Sequence, residues 1–221
     1  NNGNPASAIV TVKEKFASEK GFSFISGHGN VGFARGCNLG AEQAQESYLL
    51  FLNPDCVIPQ SGVKSLFQTV NQLGGKWMAA PRMINLDGSE QQGSRREILT
   101  PWIAFVEGTQ LYRIFPRHPY FKRFDHKDKP LPQELSEVPV TSGACMFIRK
   151  EEYLNIGGMD DGYFLHVEDI DFCLRFRKQG GRIFFCPDVT FVHALGTSRA
   201  SRVFIEWHKL QSKEKRLRSN R

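Results

Sequence analysis

Apolar positions along the chain follow two periods in turn. Ala6 to Glu19 places Ile9, Val12 and Phe16 at helical spacing, and Ser61 to Leu73 repeats the pattern with Val63, Leu66, Phe67 and Val70 before Gly74-Gly75 ends it. Between them lie a short alternating stretch, Phe22-Ser23-Phe24-Ile25, a polar helical stretch around Leu39 to Gln45, and the near-continuous apolar run Tyr48-Leu49-Leu50-Phe51-Leu52. Such a run predicts a buried parallel strand. Trp77 to Ile84, Val140 to Arg149, Ile183 to Phe185 and Val189 to His193 read as further strands; Tyr163 to Val167 leads into a helix from Ile170 to Lys178, stopped by Gly180-Gly181. Strands alternating with helices of this length predict an α/β fold with right-handed βαβ units and a mostly parallel sheet flanked by helices.

Two stretches break the alternation. Residues 85–138 are irregular and carry Pro101, Pro116, Pro119, Pro130 and Pro132, as a functional lid or mobile segment would. The chain also opens on a turn, Asn1-Asn2-Gly3-Asn4, where a parallel α/β domain ordinarily opens on an apolar strand, so either the first strand comes from elsewhere or an N-terminal piece is missing. That opening has none of the marks of a signal peptide, and no apolar run approaches the ~20 residues of a membrane-spanning helix.

Composition narrows the class. Of 221 residues, 40% are hydrophobic and 24% charged, which excludes disordered and collagen-like chains. Five cysteines, an odd number with no CxxC pair, predict reduced thiols in a cytosolic protein, not a disulfide frame or zinc site. The net charge of +6 is unevenly spread. Residues 201–221 set seven Lys/Arg against Glu206 and Glu214, and residues 113–130 set six against Asp125 and Asp128, leaving the remainder slightly acidic. Two short basic, aromatic-laced segments suit an anionic membrane surface or acceptor better than a duplex, so no nucleic-acid partner is expected.

Four stretches could carry chemistry. Asn53-Pro54-Asp55 ends the apolar strand, where ligands bind in open α/β sheets, and one carboxylate there can hold a divalent cation against a diphosphate. A plain Asx turn uses the same residues. Glu168-Asp169-Ile170-Asp171 sets three acids at a helix start, whose positive end keeps carboxylates ionised, as a general base requires. N-capping explains one of the three. His193 closes a β-rich run and can ligate a metal, or be structural. Gly27 to Asn38 is rich in glycines that let backbone amides approach an anion, with Arg35 to add charge; a flexible loop has the same composition.

In order and spacing these pieces resemble the inverting glycosyltransferases of family 2, with the GT-A fold, and especially the bacterial rhamnosyltransferase-like branch. The matching stretches are Asn30 to Asn38, Leu50 to Asp55, Ala80-Pro81-Arg82 with Asp87-Gly88, Ser142 to Lys150, Gly157 to Asp160 running through Phe164 to Glu168-Asp169-Ile170-Asp171-Phe172-Cys173-Leu174-Arg175, and His193 with Gly196 and Ser198. The resemblance covers residues 1–200. It implies that Asp55, with His193 near the metal and diphosphate, binds Mg²⁺ or Mn²⁺, and that Asp169 is the catalytic base with Glu168 shaping the sugar site. It also implies that Asn30, Arg35, Asn38 and Asn53 lie on the nucleotide side, and that Ser142 and Gly143 lie where donor sugar and acceptor meet. Family members begin with a strand, a helix and a second strand ending in a turn like Asn1-Asn2-Gly3-Asn4, so that portion is expected to be lacking.

The implied reaction is metal-dependent transfer, with inversion, of a sugar (rhamnose from dTDP-rhamnose) from a nucleotide donor to a glycan or lipid-linked diphosphate acceptor in bacterial surface polysaccharide synthesis. Residues 85–138, with Tyr112, Phe115, Tyr120, Phe121 and Phe124 among Arg and Lys, would form the acceptor side. In the tail, Val203, Phe204, Trp207 and Leu210 fall on one helical stripe before a basic run, which suits peripheral docking on the inner face of the plasma membrane. The rival reading is a non-catalytic or truncated sugar-nucleotide-binding domain of the same fold.

Overall fold

The computed structural model describes residues 2–116, 118–163 and 167–194. Its helices are α1 (Ala6–Phe16), α2 (Phe33–Gln43), α3 (Gly62–Val70), α4 (Pro101–Thr109), α5 (Leu111–Ile114), α6 (Lys150–Asn155) and α7 (Glu168–Lys178). Its strands are β1 (Tyr48–Leu52), β2 (Cys56–Val57), β3 (Trp77–Ile84), β4 (Arg95–Arg96), β5 (Ser136–Glu137), β6 (Val140–Thr141), β7 (Cys145–Arg149) and β8 (Arg182–His193). The main sheet has the order β1-β7-β3-β8-β2, with β5 also on β8; β4 and β6 form a small second sheet.

Period-two alternation splits the strands between two cores. Leu49, Phe51, Met78, Met146 and Ile148 meet Ala34 and Ala41 of α2 and Phe172 and Phe176 of α7 on one face. Trp77, Ala79, Phe147 and Phe184 meet Leu66 and Val70 of α3 on the other. Both faces of the sheet are covered, so its strands read as continuous apolar runs.

The same fact corrects one expectation. β1 is buried on one face and half-buried on the other, yet its hydrogen-bonded neighbour β7 is antiparallel to it. β1, β3 and β8 share a direction, as expected, but β7 runs the other way between β1 and β3, so among the described residues only β3 and β8 pair in parallel. Burial on two faces produces the apolar run whichever way the neighbour points.

Other boundaries shift for local reasons. Phe22-Ser23-Phe24-Ile25 is not a strand, and α1 ahead of it buries none of its residues. Val140 to Arg149 divides into β6 and β7, because Ser142-Gly143-Ala144 turns away from the ladder. The two runs Ile183 to Phe185 and Val189 to His193 are one strand, β8, whose parallel register to β3 jumps between Pro81↔Cys186 and Arg82↔Thr190. Pro187 cannot donate to a ladder, and a bulge absorbs it. All five cysteines are free. The basic tail 201–221, and residues 164–166 ahead of α7, lie outside the described residues. Among those described, no helix is long and apolar enough to cross a membrane.

Residues 85–138 are more ordered than their prolines suggest. Arg95 is the anchor: its guanidinium makes a bidentate pair with Glu90 (2.7 and 2.8 Å), donates to the carbonyls of Lys129 and Pro130, and lies over the Phe185 ring. Arg95 and Glu90 are both buried, and removing one partner strands the other's charge. Arg95→Ala is expected to destabilise the protein by about 3 kcal/mol in chemical denaturation and to open residues 85–138 to limited proteolysis; unchanged stability would show that the segment is tied down elsewhere.

Candidate active site

The carboxyl end of β1 delivers Asn53-Pro54-Asp55, and the end of β8 delivers His193 opposite it, because β2 pairs Cys56 with His193. His193 Nε2 lies 2.9 Å from Asp55 Oδ1 and 3.4 Å from Asn53 Nδ2, while its Nδ1 lies 2.8 Å from Gln91 Oε1. The Gln91 oxygen accepts where Nδ1 carries a proton and Asp55 Oδ1 accepts where Nε2 does, while the longer Asn53 contact takes an unprotonated Nε2. With Nε2 unprotonated, its lone pair and the Asp55 carboxylate oxygen face one point, where a cation would bind in place of the proton. Cys56 completes a group whose ligand atoms lie within 4.8 Å of one another. Burial and the Asp55 charge push its thiol up to about 11, so at neutral pH it is an uncharged thiol. The remaining oxygen and imidazole nitrogen fit Mg²⁺ or Mn²⁺.

The acids at the start of α7 form the second half. Asp169 Oδ2 accepts from the Arg96 guanidinium at 2.5 Å and from the Gly143 amide at 2.9 Å, and Oδ1 accepts from the Ile170 amide. Burial would raise this carboxyl, but the Arg96 charge and hydrogen bond and the two amides outweigh it and hold it below the usual aspartate range. Glu168 goes the other way. It is 6% exposed, its Oε2 has no hydrogen-bond partner, and burial together with the neighbouring Asp169 charge pushes it up to about 8. Two adjacent carboxyls are thus held in opposite protonation states at neutral pH, the signature of an acid–base pair.

One turn joins the two halves. The Gly143 amide binds Asp169, while the Ala144 carbonyl accepts from Asn53 N and from Cys56 Sγ. Ser142 Oγ accepts from the Ala144 amide and braces the turn. A Cβ on Gly143 would come within 3.2 Å of Asp169 Cβ and 3.3 Å of the Phe33 ring, so a larger residue would push on both.

Not every expected residue joins this cluster. Asn38 is a clamp: its amide donates to the Met159 carbonyl and its oxygen accepts from Tyr153 OH and the Met159 amide, which commits it to the Gly158-Met159 turn. Arg35 pairs with Asp161 at the surface, and the two line a cleft of about 740 Å³ with Asn38 and Arg175, without Asp55 or Asp169. Asn30 caps its own loop by accepting from the Gly32 amide. A wider groove of about 1170 Å³ follows β1 from Tyr48 to Asn53 and Pro54, opposite His28 and Phe33. Two residues went unread in the sequence. Arg96, which also donates to the Thr141 carbonyl, and Gln91 sit in the stretch that looked irregular; paired arginines beside a strand were the available signal, since a buried Arg needs a carboxylate.

The family model described as "Glycosyltransferase like family 2" matches residues 26–212. The chain belongs to this glycosyltransferase family. Among curated relatives, it is 28% identical over 183 residues to the low-salt glycan biosynthesis hexosyltransferase Agl10 of Haloferax volcanii, covering 81% of this chain and 54% of that one. It is 26% identical over 201 residues to the rhamnosyltransferase WbbL of Escherichia coli, covering 85% and 70%. It is 24% identical over 150 residues to an N-acetylglucosaminyl-diphospho-decaprenol L-rhamnosyltransferase of Mycobacterium tuberculosis, covering 67% and 47%. The chain thus spans about half the length of two of these relatives. Solved structures of the same fold include GalNAc-T7 with UDP, GalNAc and Mn²⁺ (TM-score 0.63, 15% identity, 96% of this chain and 40% of that one). Another is the Pyrobaculum calidifontis mannosyltransferase PcManGT with GDP-Man and Mn²⁺ (TM-score 0.60, 12% identity, 98% and 53%). This likeness establishes a GT-A fold for the chain.

The raised Glu168 of this family member has a thermodynamic consequence. Between the ordinary value of 4.5 and about 8, the folded protein keeps a proton that the unfolded chain has released, so Glu168 lowers stability progressively as pH rises across that window. Glu168→Gln is expected to match wild-type thermal stability below the window and exceed it increasingly up to about pH 8, levelling off above. Parallel Tm–pH curves for the two proteins would place the raised group elsewhere.

Proposed function

We propose that this glycosyltransferase transfers a sugar, with inversion, from a nucleoside diphosphate donor to a glycan or lipid-linked acceptor, using Mg²⁺ or Mn²⁺. Rhamnose from dTDP-rhamnose, transferred on the cytoplasmic side during surface polysaccharide synthesis, is the specific reaction favoured, on the strength of the rhamnosyltransferases among its relatives. The observation that carries the reading is the single turn, Ser142 to Ala144, that ties the Asp55–His193 pair to Asp169. A diphosphate held at the first and a hydroxyl held at the second would flank one anomeric carbon.

Asp55 and His193 would hold the cation, which when bound neutralises charge on the departing diphosphate. Gln91 fixes the His193 ring, and Asn53 braces its other nitrogen. Asp169 takes the proton of the acceptor hydroxyl. Arg96 and the Gly143 amide keep it ionised and aimed, at the cost of basicity, so the proton moves late, once bonding to the anomeric carbon has made the hydroxyl acidic. Glu168, protonated at neutral pH, supplies an O–H donor beside it, able to bind a sugar oxygen.

Two substitutions separate these roles. Asp55→Ala is expected to abolish Mn²⁺-dependent binding of nucleoside diphosphate in calorimetry with little loss of stability, since Asp55 ends its strand in a turn; unchanged affinity removes it from the metal site. Asp169→Asn is expected to retain donor binding and to slow transfer by about 10²–10⁴-fold. Near wild-type turnover would place the base elsewhere.

A further inference from the structure

Helix α4, Pro101-Trp102-Ile103-Ala104-Phe105-Val106-Glu107-Gly108-Thr109, is apolar on all sides, but it buries only Ile103 and Val106 against the domain. A helix of that make-up ordinarily has apolar surroundings all round. Here its outward side continues into a platform of rings and aliphatics. Phe105 is 52% exposed, Ile114 66%, Phe115 47% and Tyr120 62%. The platform is built, not loose: Trp102 Nε1 donates to the Tyr120 carbonyl, the Trp102 ring packs on Tyr120 and Phe105, and Phe115 stacks on Phe121.

Its charge is mostly positive. From 101 to 124 the chain carries Arg113, Arg117, Lys122 and Arg123 against a single acid, Glu107. Arg123 is committed to Glu107 and Asp128, whereas Arg113 and Lys122 are exposed at the platform's margin. Rings and aliphatics in the middle with cations at the rim complement the acyl boundary and headgroups of an anionic leaflet.

The platform is also wired to the candidate catalytic carboxylate. Phe124, which closes it, accepts from the Glu97 amide, donates its own amide to Glu107, and lies under the guanidinium of Arg96, the residue that holds Asp169.

We infer that the α4–α5 platform is a bilayer-docking face, seating Phe105 and Ile114 among the acyl boundary of an anionic membrane, with Arg113 and Lys122 on its headgroups. The inference rests on the transferase reading for its purpose, bringing Asp169 to the height at which the headgroup of a lipid-linked acceptor stands. The contact itself rests on the platform alone.

Co-sedimentation of the full chain with phosphatidylglycerol-containing and with pure phosphatidylcholine vesicles tests it. Wild type is expected to bind the anionic vesicles more strongly. Phe105→Ser/Ile114→Ser should weaken that binding about tenfold or more, the effect of withholding two large apolar side chains from the boundary. Arg113→Glu/Lys122→Glu should weaken it on anionic vesicles only. Equal binding by wild type and both platform variants overturns the inference. So does binding lost only in the tail variant Lys213→Glu/Lys215→Glu/Arg216→Glu, or a wild type that dimerises in solution while the platform variants do not. Mn²⁺-dependent nucleoside diphosphate binding, measured without vesicles, keeps the two readings apart: its failure with vesicle binding intact removes the transferase reading and leaves the docking face standing.

Discussion

The Asp169 side chain lies so close to the backbone at residue 143 that a Cβ there would crowd it at 3.2 Å. Through that contact the Gly143 amide reaches the carboxylate, and the next residue's carbonyl reaches Asn53 and Cys56. The turn between β6 and β7 therefore sets the distance between the α7 acids and the end of β1. The sheet orders itself around the same point: β7 leaves the turn antiparallel to β1 and β3 and fills the space between them. Moving the turn would move the acids, the Asp55 end and the middle strand together.

Electrostatics then divides labour between neighbours. Glu168 and Asp169 are consecutive and both largely buried, yet one is surrounded by an arginine and two amides while the other has an oxygen with no partner. A single arginine from the β4 strand decides which is ionised. Arg96 is in turn fixed by the Thr141 carbonyl and the Phe124 ring, so the acid–base asymmetry depends on residues 85–138 being folded. The bidentate Arg95–Glu90 pair keeps them so.

The legible parts of the chain were those governed by local rules. Strand ends, glycine stops and the acidic start of α7 read correctly because periodicity, chain reversal and helix polarity are properties of a few consecutive residues. Asp55 meets His193, and Gly143 meets Asp169 beside Glu168, in the candidate site. What could not be read was relational. The direction of β7 depends on a neighbour far away in the chain, and β1 is as apolar beside an antiparallel strand as beside a parallel one. Asn38 looked like a ligand contact because an Asn in a glycine-rich loop is one pattern for two uses; only the position of Met159 and Tyr153 separates them. Gln91 and Arg96 were hidden by prolines that signalled irregularity where the chain is pinned by a buried ion pair.

The pairing of Cys56 with His193 in β2 and β8 bears on how the protein comes into being. Asp55 and its imidazole partner stand 138 positions apart, and β8 joins β3 across about a hundred residues. Loop closure over such spans is slow, and its entropy is lost before the contacts it allows are made. On a ribosome, Asp55 emerges long before β8 exists. A half-made chain therefore has Asp55 without its His193 partner, and the pair forms only once β8 docks. The bulge at Pro187 makes that step selective: a strand offset by one residue would meet β3 with its proline out of place and His193 turned from the cleft, so correct registration of β8 and completion of the site are one event.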